Sequence, residues 1–417
     1  MNLAKRAYEK LKKFFIESKS SSWDVLGQVF DYFNGNSTNV TEASALRLSV
    51  VFSCVRVISE TVGTLPLNTY KRTEKGKEKA INKNVYFILK EEPNPSTNIV
   101  GWKETMTALC ALYGNSLSVI QRDDYGRPIA IWQKAPEEWK VIKKHKENKY
   151  YYYIWNYNTE AWDPILQENV IHFSGFGGDG VIGFSPIRMN AQSVGMGLAS
   201  QNLGVEYYEN YGFVSDVIYY NGAFKQNEKG ENTVVENIRK EWNKNHTGAG
   251  KRFKTAIFDE KTKLERLKIP LDDFQFINTH KLTREQICGI FRMPQHMIQS
   301  LDNASYNNIE SLTLGFTKFT ITPWLVRQEK ELDRKLFTRR ERKTYYTRYN
   351  LEMLLRGDPK ARSEYYKNLF YTASISPNEI REKEEMNPYE GGYEYYVPTN
   401  MTLEPNQNKN QNEPEIK

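Results

Sequence analysis

The chain has 417 residues, 39% of them hydrophobic and 26% charged, so it is long enough for about two or three core-bearing units and is not a disordered polypeptide. Its 58 Lys and Arg against 51 Asp and Glu leave a net charge of +7, too small for a general nucleic-acid binder of this length, although contact with DNA stays open. Cys54, Cys110 and Cys288 form no CxxC pair, there is no secretory signal and no run of about 18 apolar residues occurs, which argues for reduced thiols in an intracellular chain and against a disulfide framework, a zinc site or a membrane span.

Aromatic residues are the unusual class, with 27 Tyr, 20 Phe and 8 Trp, a composition that favours an assembled protein. Residues 3–18 place Leu3, Ala7, Leu11, Phe14 and Phe15 on one helical face with lysines elsewhere, and Ser/Asn-rich linkers follow, so residues 1–40 read as a flexible arm. A docking arm, a membrane-surface helix and a short packed helix all fit that pattern. Thr41 opens a helix carrying Leu46, Val50, Cys54, Val57, Ile58 and Thr61 at helical spacing and ending at Gly63. A strand over 65–70, a charged turn at 74–77 and short helices over 86–89 and 102–113 come next. Segments 117–122 and 129–133 flank a turn as a hairpin, and 141–142, 150–156 and 169–173 supply further strands. This half is α+β with antiparallel pairing.

From residue 185 to 211 the pattern turns helical although Gly195, Gly197 and Gly204 each cost about 1 kcal/mol relative to Ala, which a closely packed neighbouring helix explains. Residues 212–269 read as a mixed insertion: strand 216–220, helix 233–245 and strands 253–258 and 264–269. A helical pattern from 282 stops at Met293 and Pro294. A polar loop follows, then a longer helical pattern with Pro323 inside it. A proline in a helix interior costs about 3 kcal/mol and bends it, which points to a shaped mechanical element. The residues after 400 are mostly Asn, Gln, Glu and Pro with few apolar residues and read as a disordered tail.

The best candidate for chemistry is Gly175-Phe176-Gly177-Gly178-Asp179-Gly180, a G-x-G-x-x-G string between a strand and a helix. A P-loop needs Lys where Phe184 stands, because the ammonium neutralises phosphate charge, and no βαβ continuation follows. A structural turn is the plainer reading. His145, His172, His246, His280 and His296 include no metal-ligand pair, and the adjacent acids Asp123-Asp124, Asp272-Asp273 and Glu384-Glu385 point apart and read as caps or solvated turns. Arg356-Gly357-Asp358 reads as a turn into a helix over 360–371. The most basic run is Arg339-Arg340-Glu341-Arg342-Lys343, with Arg327, Lys330, Arg334 and Lys335 upstream. A DNA-facing stripe is one reading, and a salt-bridged helix face with Glu329, Glu331 and Asp333 is the favoured one.

The order of motifs, from residue 41 to 392, is more telling than any one of them. Leu65-Pro66-Leu67, Pro93-Asn94-Pro95, Tyr113-Gly114-Asn115-Ser116, Arg122-Asp123 with Gly126, Ile171-His172-Phe173 and Gly180 with Gly183, Ser185 and Pro186 run along the first half. Trp242, Phe291-Arg292-Met293-Pro294, Tyr306-Asn307-Asn308-Ile309-Glu310, Pro323-Trp324-Leu325, Leu355-Arg356-Gly357-Asp358, Asn378-Glu379-Ile380-Arg381 and Pro388 with Gly391 and Gly392 follow. In this order they resemble the portal proteins of long-tailed bacteriophages with the HK-type capsid fold. The family often has Gly-Val-Pro where this chain has Arg292-Met293-Pro294, and 221–261 matches loosely.

The resemblance implies an α+β portal fold: a wing over 41–183, a first stem helix over 184–211, a small α/β clip over 212–270 and a second stem helix over 271–293. It further implies a tunnel loop over 294–308, a long bent wing helix over 309–343, and a wing strand and helical crown over 344–400. The residues implied to meet DNA are Gln299, Asp302, Asn303, Ser305, Asn307 and Asn308, with the supporting helix bent at Pro323. The implied protein is a non-enzymatic dodecameric ring at one capsid vertex, assembled in the host bacterial cytoplasm, with double-stranded DNA passing along its axis. Its implied partners are the terminase large subunit, head-completion adaptors, and the major capsid and scaffold proteins. No cofactor, metal or membrane is implied. The contrasting expectation is a nucleotide-dependent DNA-processing enzyme using the loop at 175–185, and a weaker one is a membrane-peripheral assembly protein using the N-terminal helix.

Overall fold

In a computed structural model the described residues are 40–74, 76–144, 149–209, 214–220, 233–246, 262–268, 276–298, 306–351, 359–384 and 386–396. The basic N-terminal helix, the strand expected over 253–258, Arg356-Gly357-Asp358 and the tail after 400 lie outside them. The chain divides into two units, Met1–Tyr349 and Asn350–Lys417.

In the first unit, α1 (Glu42–Ala45) is a single turn opened by a capping box in which Thr41 and Ser44 bond each other's backbone amides. The continuous helix expected from Thr41 is broken after it: Leu48 is extended, and α2 runs over Ser49–Thr64. Gly63 does not end it. That glycine is buried inside α2, where a Cβ would collide with Glu104 of α4 (Ile99–Tyr113). Strand β1 (Leu67–Thr73) and the unforeseen β2 (Gly76–Lys79) form a hairpin, and α3 (Asn84–Lys90) leads into α4. A left-handed Gly114 (φ 75°) stops α4, since a side chain there would strike the backbone of Phe184.

Strands β3 (Asn115–Arg122), β4 (Pro128–Lys134) and β8 (Val170–Ser174) make an antiparallel sheet in the order β4-β3-β8. Strands β5 (Trp139–Lys144), β6 (Lys149–Asn156) and β7 (Ala161–Ile165) make a second, meandering one. The sheets share a core of Leu117, Trp139, Val141, Tyr152, Val170 and Ile182. Helix α4 is joined to the first sheet by Trp102, whose Nε1 donates to Ser118 Oγ at 3.1 Å and whose ring meets Phe173 edge-on.

The helical segment expected over 185–211 breaks at Asn190 into α5 (Pro186–Met189) and α6 (Ala191–Glu209). Helix α8 (Phe276–Phe291) packs on α6, and Gly197 sits where a Cβ would press on Thr283 of α8 and on Leu48, which accounts for one of the three glycines. Between these helices lie β9 (Val214–Tyr220), α7 (Thr233–His246) and β10 (Thr262–Lys268), the two strands paired antiparallel. Cys54 of α2 and Cys288 of α8 are free and buried on two helices that pack together. The first unit closes with α9 (Tyr306–Phe316), a π-helical segment (Thr317–Ile321), α10 (Thr322–Leu336) and β11 (Tyr345–Tyr349), which completes a β11-β1-β2 sheet.

In the second unit, Ser376 and Glu379 form a capping box at the start of α12 (Pro377–Lys383), which follows α11 (Pro359–Tyr371). The Asn378 side chain donates to Tyr389 O at 2.8 Å and accepts from Tyr389 N, folding the Gly391-Gly392 segment back on α12. No described helix in either unit is long and apolar enough to cross a membrane.

Candidate functional site

Among the residues expected to meet DNA, Gln299, Asp302, Asn303 and Ser305 lie outside the described residues. Asn307 and Asn308 fall in the first turn of α9 rather than in a loop. What the structure does describe is how the segment is rooted on either side.

On the entry side, Met293 N donates to Cys288 O at 2.8 Å and Arg292 N to Gly289 O at 3.1 Å, a cap that requires a left-handed residue at Arg292 (φ 51°). Glycine takes that conformation at little cost, whereas a side chain there costs about 1–2 kcal/mol. The departure from the Gly-Val-Pro pattern thus falls on the one position where it matters. Arg292→Gly is expected to stabilise the chain by about 1 kcal/mol, seen as a raised urea midpoint; an unchanged or lowered midpoint would contradict this account of the cap.

The same Arg292 supplies a carbonyl that accepts from Thr320 Oγ1 at 2.7 Å, tying the end of α8 to the π segment. Beyond Pro294 a 3₁₀ turn (Gln295–Ile298) brings His296 Nε2 within 3.4 Å of Thr313 Oγ1 on α9. Buried Phe291, Met293, Phe316 and Ile321 lie among these links. Two polar contacts on a dry apolar base hold the root of the segment.

The π segment sits immediately before Pro323, which lies in the first turn of α10. In a continuous α-helix the proline ring would clash with the carbonyl four residues back and leave it without a donor. One extra residue in the preceding turn widens the spiral. Thr322 N and Thr322 Oγ1, at 2.8 Å, both donate to Thr317 O, while Thr317 Oγ1 donates back to Thr313 O. Sequence reasoning found the proline and missed the π turn. The spacing of Thr313, Thr317, Thr320 and Thr322 was the available signal, since threonine hydroxyls bond backbone carbonyls of the preceding turn.

Helix α10 fixes the π segment to both neighbouring layers. Gln328 Nε2 donates to Thr107 Oγ1 of α4 at 2.9 Å, and Gln328 Oε1 accepts from Tyr349 Oη of β11 at 2.6 Å. Buried Glu329 accepts from Tyr349 N at 2.8 Å and pairs with Arg348 at 3.0 Å; burial pushes its carboxyl up against the pull of those two donors. Glu331 pairs with Arg334 and Lys335, and burial takes the Lys335 ammonium down to about 8. Of the salt-bridged helix face favoured from the sequence, Glu331 forms its part, whereas Glu329 pairs with Arg348 of β11 and Asp333 accepts from Thr347.

The glycine-rich loop is filled by its own chain. Asp179 Oδ1 accepts from Val181 N and Ile182 N, both at 3.1 Å, and Asn115 Oδ1 accepts from Gly183 N at 2.8 Å. A Cβ at Gly177 would overlap the Phe184 ring, and one at Gly178 the Ile182 carbonyl. Amides that would cradle a phosphate are bonded to a carboxylate and an amide side chain instead, so an anion would meet negative charge there.

Three separate sequence motifs meet beneath this loop. Asn115 Nδ2 donates to Gly183 O at 2.7 Å and its Oδ1 also lies 3.1 Å from His172 Nε2. Because Oδ1 can only accept, His172 carries its proton on Nε2, and Nδ1, 3.2 Å from Tyr152 Oη, accepts from that hydroxyl. Burial, with Lys335 and Arg334 nearby, brings the imidazole down to about 3. Its folded value lies below the unfolded one, near 6.5, so the stability it confers is complete above about 6.5 and is lost as pH falls toward 3. In an NMR titration of the folded protein, His172 is expected to stay neutral at pH 5; an imidazolium signal there would contradict the network. At the edge of the cluster, buried Glu42 pairs with Arg188 at 2.7 Å and accepts from Ser185 Oγ at 3.2 Å. These are structural contacts, and none presents an open reacting position.

The family model described as phage portal protein matches residues 49–385. The chain is 24% identical over 394 residues to the portal protein of Enterobacteria phage HK97, covering 90% of each chain. It is 26% identical over 376 residues to the probable portal protein of Streptomyces phage phiC31, covering 87% of this chain and 80% of that one. Among solved structures, an HK97-family phage portal protein from Corynebacterium diphtheriae superposes with a TM-score of 0.56 at 11% identity, covering 77% of this chain and all of the other. A chain from the neck of a native gene transfer agent particle, computed with C12 symmetry, superposes with a TM-score of 0.54 at 17% identity over 88% of this chain and all of that one.

Proposed function

The chain belongs to the phage portal protein family, and from that premise we propose that copies of it close into a ring at one capsid vertex and form the conduit for DNA packaging and ejection. The observation that carries this reading is the family match along residues 49–385, which takes in α8, the segment after it and the whole of α9 and α10. The twelvefold symmetry of the similar neck particle supports a dodecamer. On this reading residues 41–183 are the wing, 184–211 and 271–293 the stem, 212–270 the clip, and 344–400 the last wing strand and the crown. Segment 294–308, including Gln299, Asp302, Asn303, Ser305, Asn307 and Asn308, faces the tunnel, with the helix around Pro323 supporting it.

The partners are double-stranded DNA in the channel, the terminase large subunit during packaging, head-completion adaptors afterwards, and capsid and scaffold proteins during assembly. The terminase supplies the energy. A polar segment without Lys or Arg suits sliding, because each neutralised phosphate adds to a salt-dependent grip on the duplex. The filled glycine-rich loop, with Phe184 at the lysine position, gives no support to the nucleotide-dependent alternative. Removing residues 299–305 is expected to leave rings intact in electron micrographs while nuclease-protected DNA in particles falls to background. Normal packaging without those residues would overturn the loop's role.

A further inference from the structure

Segments 67–83 and 339–349 carry eleven Lys and Arg against three Glu, a net +8 in a chain whose total is +7. All the excess charge of the protein is therefore concentrated in 28 residues, which build the β11-β1-β2 sheet and its adjoining turns. Cross-strand partners share a face, as do alternate residues along a strand. Register places Tyr70 opposite both Tyr346 and Lys79, Arg72 opposite Lys77, and Asn68 opposite Arg348. One face thus presents Arg72, Lys77, Lys79 and Arg348 around two stacked tyrosine rings 5.6 Å apart, with Arg72 over Tyr346 and Lys77 over Tyr70.

Among the described residues no acidic side chain lies on that face; Asp333, which accepts from Thr347 on the opposite face, is close enough to Arg72 to feel its charge. Glu78 pairs with Lys71 in the register of the opposite face, whose Thr69 and Thr347 are buried; Glu74 is in the hairpin turn; Glu329, buried beneath, pairs with Arg348. The turn before β11 adds exposed Arg339, Arg340, Arg342 and Lys343, and its one acid, Glu341, is bonded to Lys83 at 2.8 Å. Arg72 N donates to Thr344 O at 2.8 Å, joining turn and sheet.

We propose that this face is a second DNA-contact surface, separate from the tunnel segment, which binds the phosphate backbone of duplex DNA without reading sequence. Protein partners are held chiefly by large apolar or aromatic anchors seated in pockets, and here both aromatic rings are stacked on each other and capped by cations. Backbone binding to DNA needs only cations that release condensed counterions. Tyrosines among basic residues on a sheet fit the same ligand.

The test uses the full chain, a fluorescent short duplex of mixed sequence, and anisotropy across a salt series. The variant R72A/K77A/K79A/R340A/R342A changes only exposed side chains, and circular dichroism and ring formation are checked beside it. Each substitution is expected to flatten the slope of log affinity against log salt by about one, and together they cost about 10³-fold at low salt, equally for unrelated sequences. Wild-type affinity and slope in the variant would overturn the surface, as would tighter binding of polyglutamate than of a duplex of equal charge. Rings without this DNA dependence would sink the inference and leave the portal reading standing; a chain that never forms rings would sink the portal reading alone.

Discussion

Asn115→Ala is expected to destabilise the first unit by about 3 kcal/mol or more, the largest single effect among the polar residues described. Asn115 is buried and its side chain satisfies Gly183 N, Gly183 O and His172 Nε2 together. Removing it leaves two donors and an acceptor without partners in a dry site, at about 1–3 kcal/mol for each group left unsatisfied. Water fills the gap only in part, because Gly183 also lies against Gly114 and Gly175 with no room for a Cβ. Asn115→Asp is expected to fail as well, since a carboxylate presents no donor to Gly183 O. Urea unfolding of both variants measures this directly. Wild-type stability in either would mean that the clamp between β3 and the glycine-rich loop contributes little.

The second large effect is expected from Pro323→Ala. Alanine restores an N–H at residue 323, so an ordinary α-helical bond to Phe319 O becomes available and the π turn over Thr317–Ile321 can relax to α. Stability then changes little or rises. Relaxing the wider turn rotates Thr320 away from Arg292 O, so the root of the segment after α8 shifts while the layers around Gln328 and Glu329 stay fixed. Loss of about 1.4 kcal/mol at each subunit contact lowers each association constant roughly tenfold. The variant should therefore fold, assemble poorly and give few infectious particles. Normal ring yield together with normal packaging would remove the mechanical role assigned to this turn.

Much of the fold could be read from local pattern. The hairpin turn at Asp123 to Gly126, the strands with alternating burial and the helices on either side of the insertion rest on short-range chemistry that sequence records. Asp123 Oδ1, for example, accepts from both Tyr125 N and Arg127 N. Long-range contacts were not legible. Gly63 looks like a helix stop in one dimension, and only the approach of Glu104 shows why it is glycine. Leu46 keeps helical spacing with Val50, yet the extended backbone at Leu48 separates α1 from α2. Strand β7 carries Asp163 and Pro164 and is held by its pairing with β6, including the Trp155–Trp162 contact, rather than by its own propensity.

The candidate site divides along the same line. Its motifs were visible singly, as Asn115, His172, Gly183 and Arg292, and their meeting points were not. Asn115 and Gly183 are 68 residues apart, and nothing in either segment announces the other. The basic run at 339–343 gave an ambiguous signal because Arg334 and Lys335 pair with Glu331 whereas Arg339, Arg340, Arg342 and Lys343 are exposed. Only the register of β1 against β2 and β11 places Arg72, Lys77 and Lys79 on the sheet that adjoins that run.

The central claim is that this chain works as a closed ring around DNA. Electron microscopy of the purified full-length protein, over a range of concentration and salt, tests it most directly. Rings of uniform diameter with an axial pore wide enough for a duplex are the expected result, and a strictly monomeric species under every condition would contradict the account.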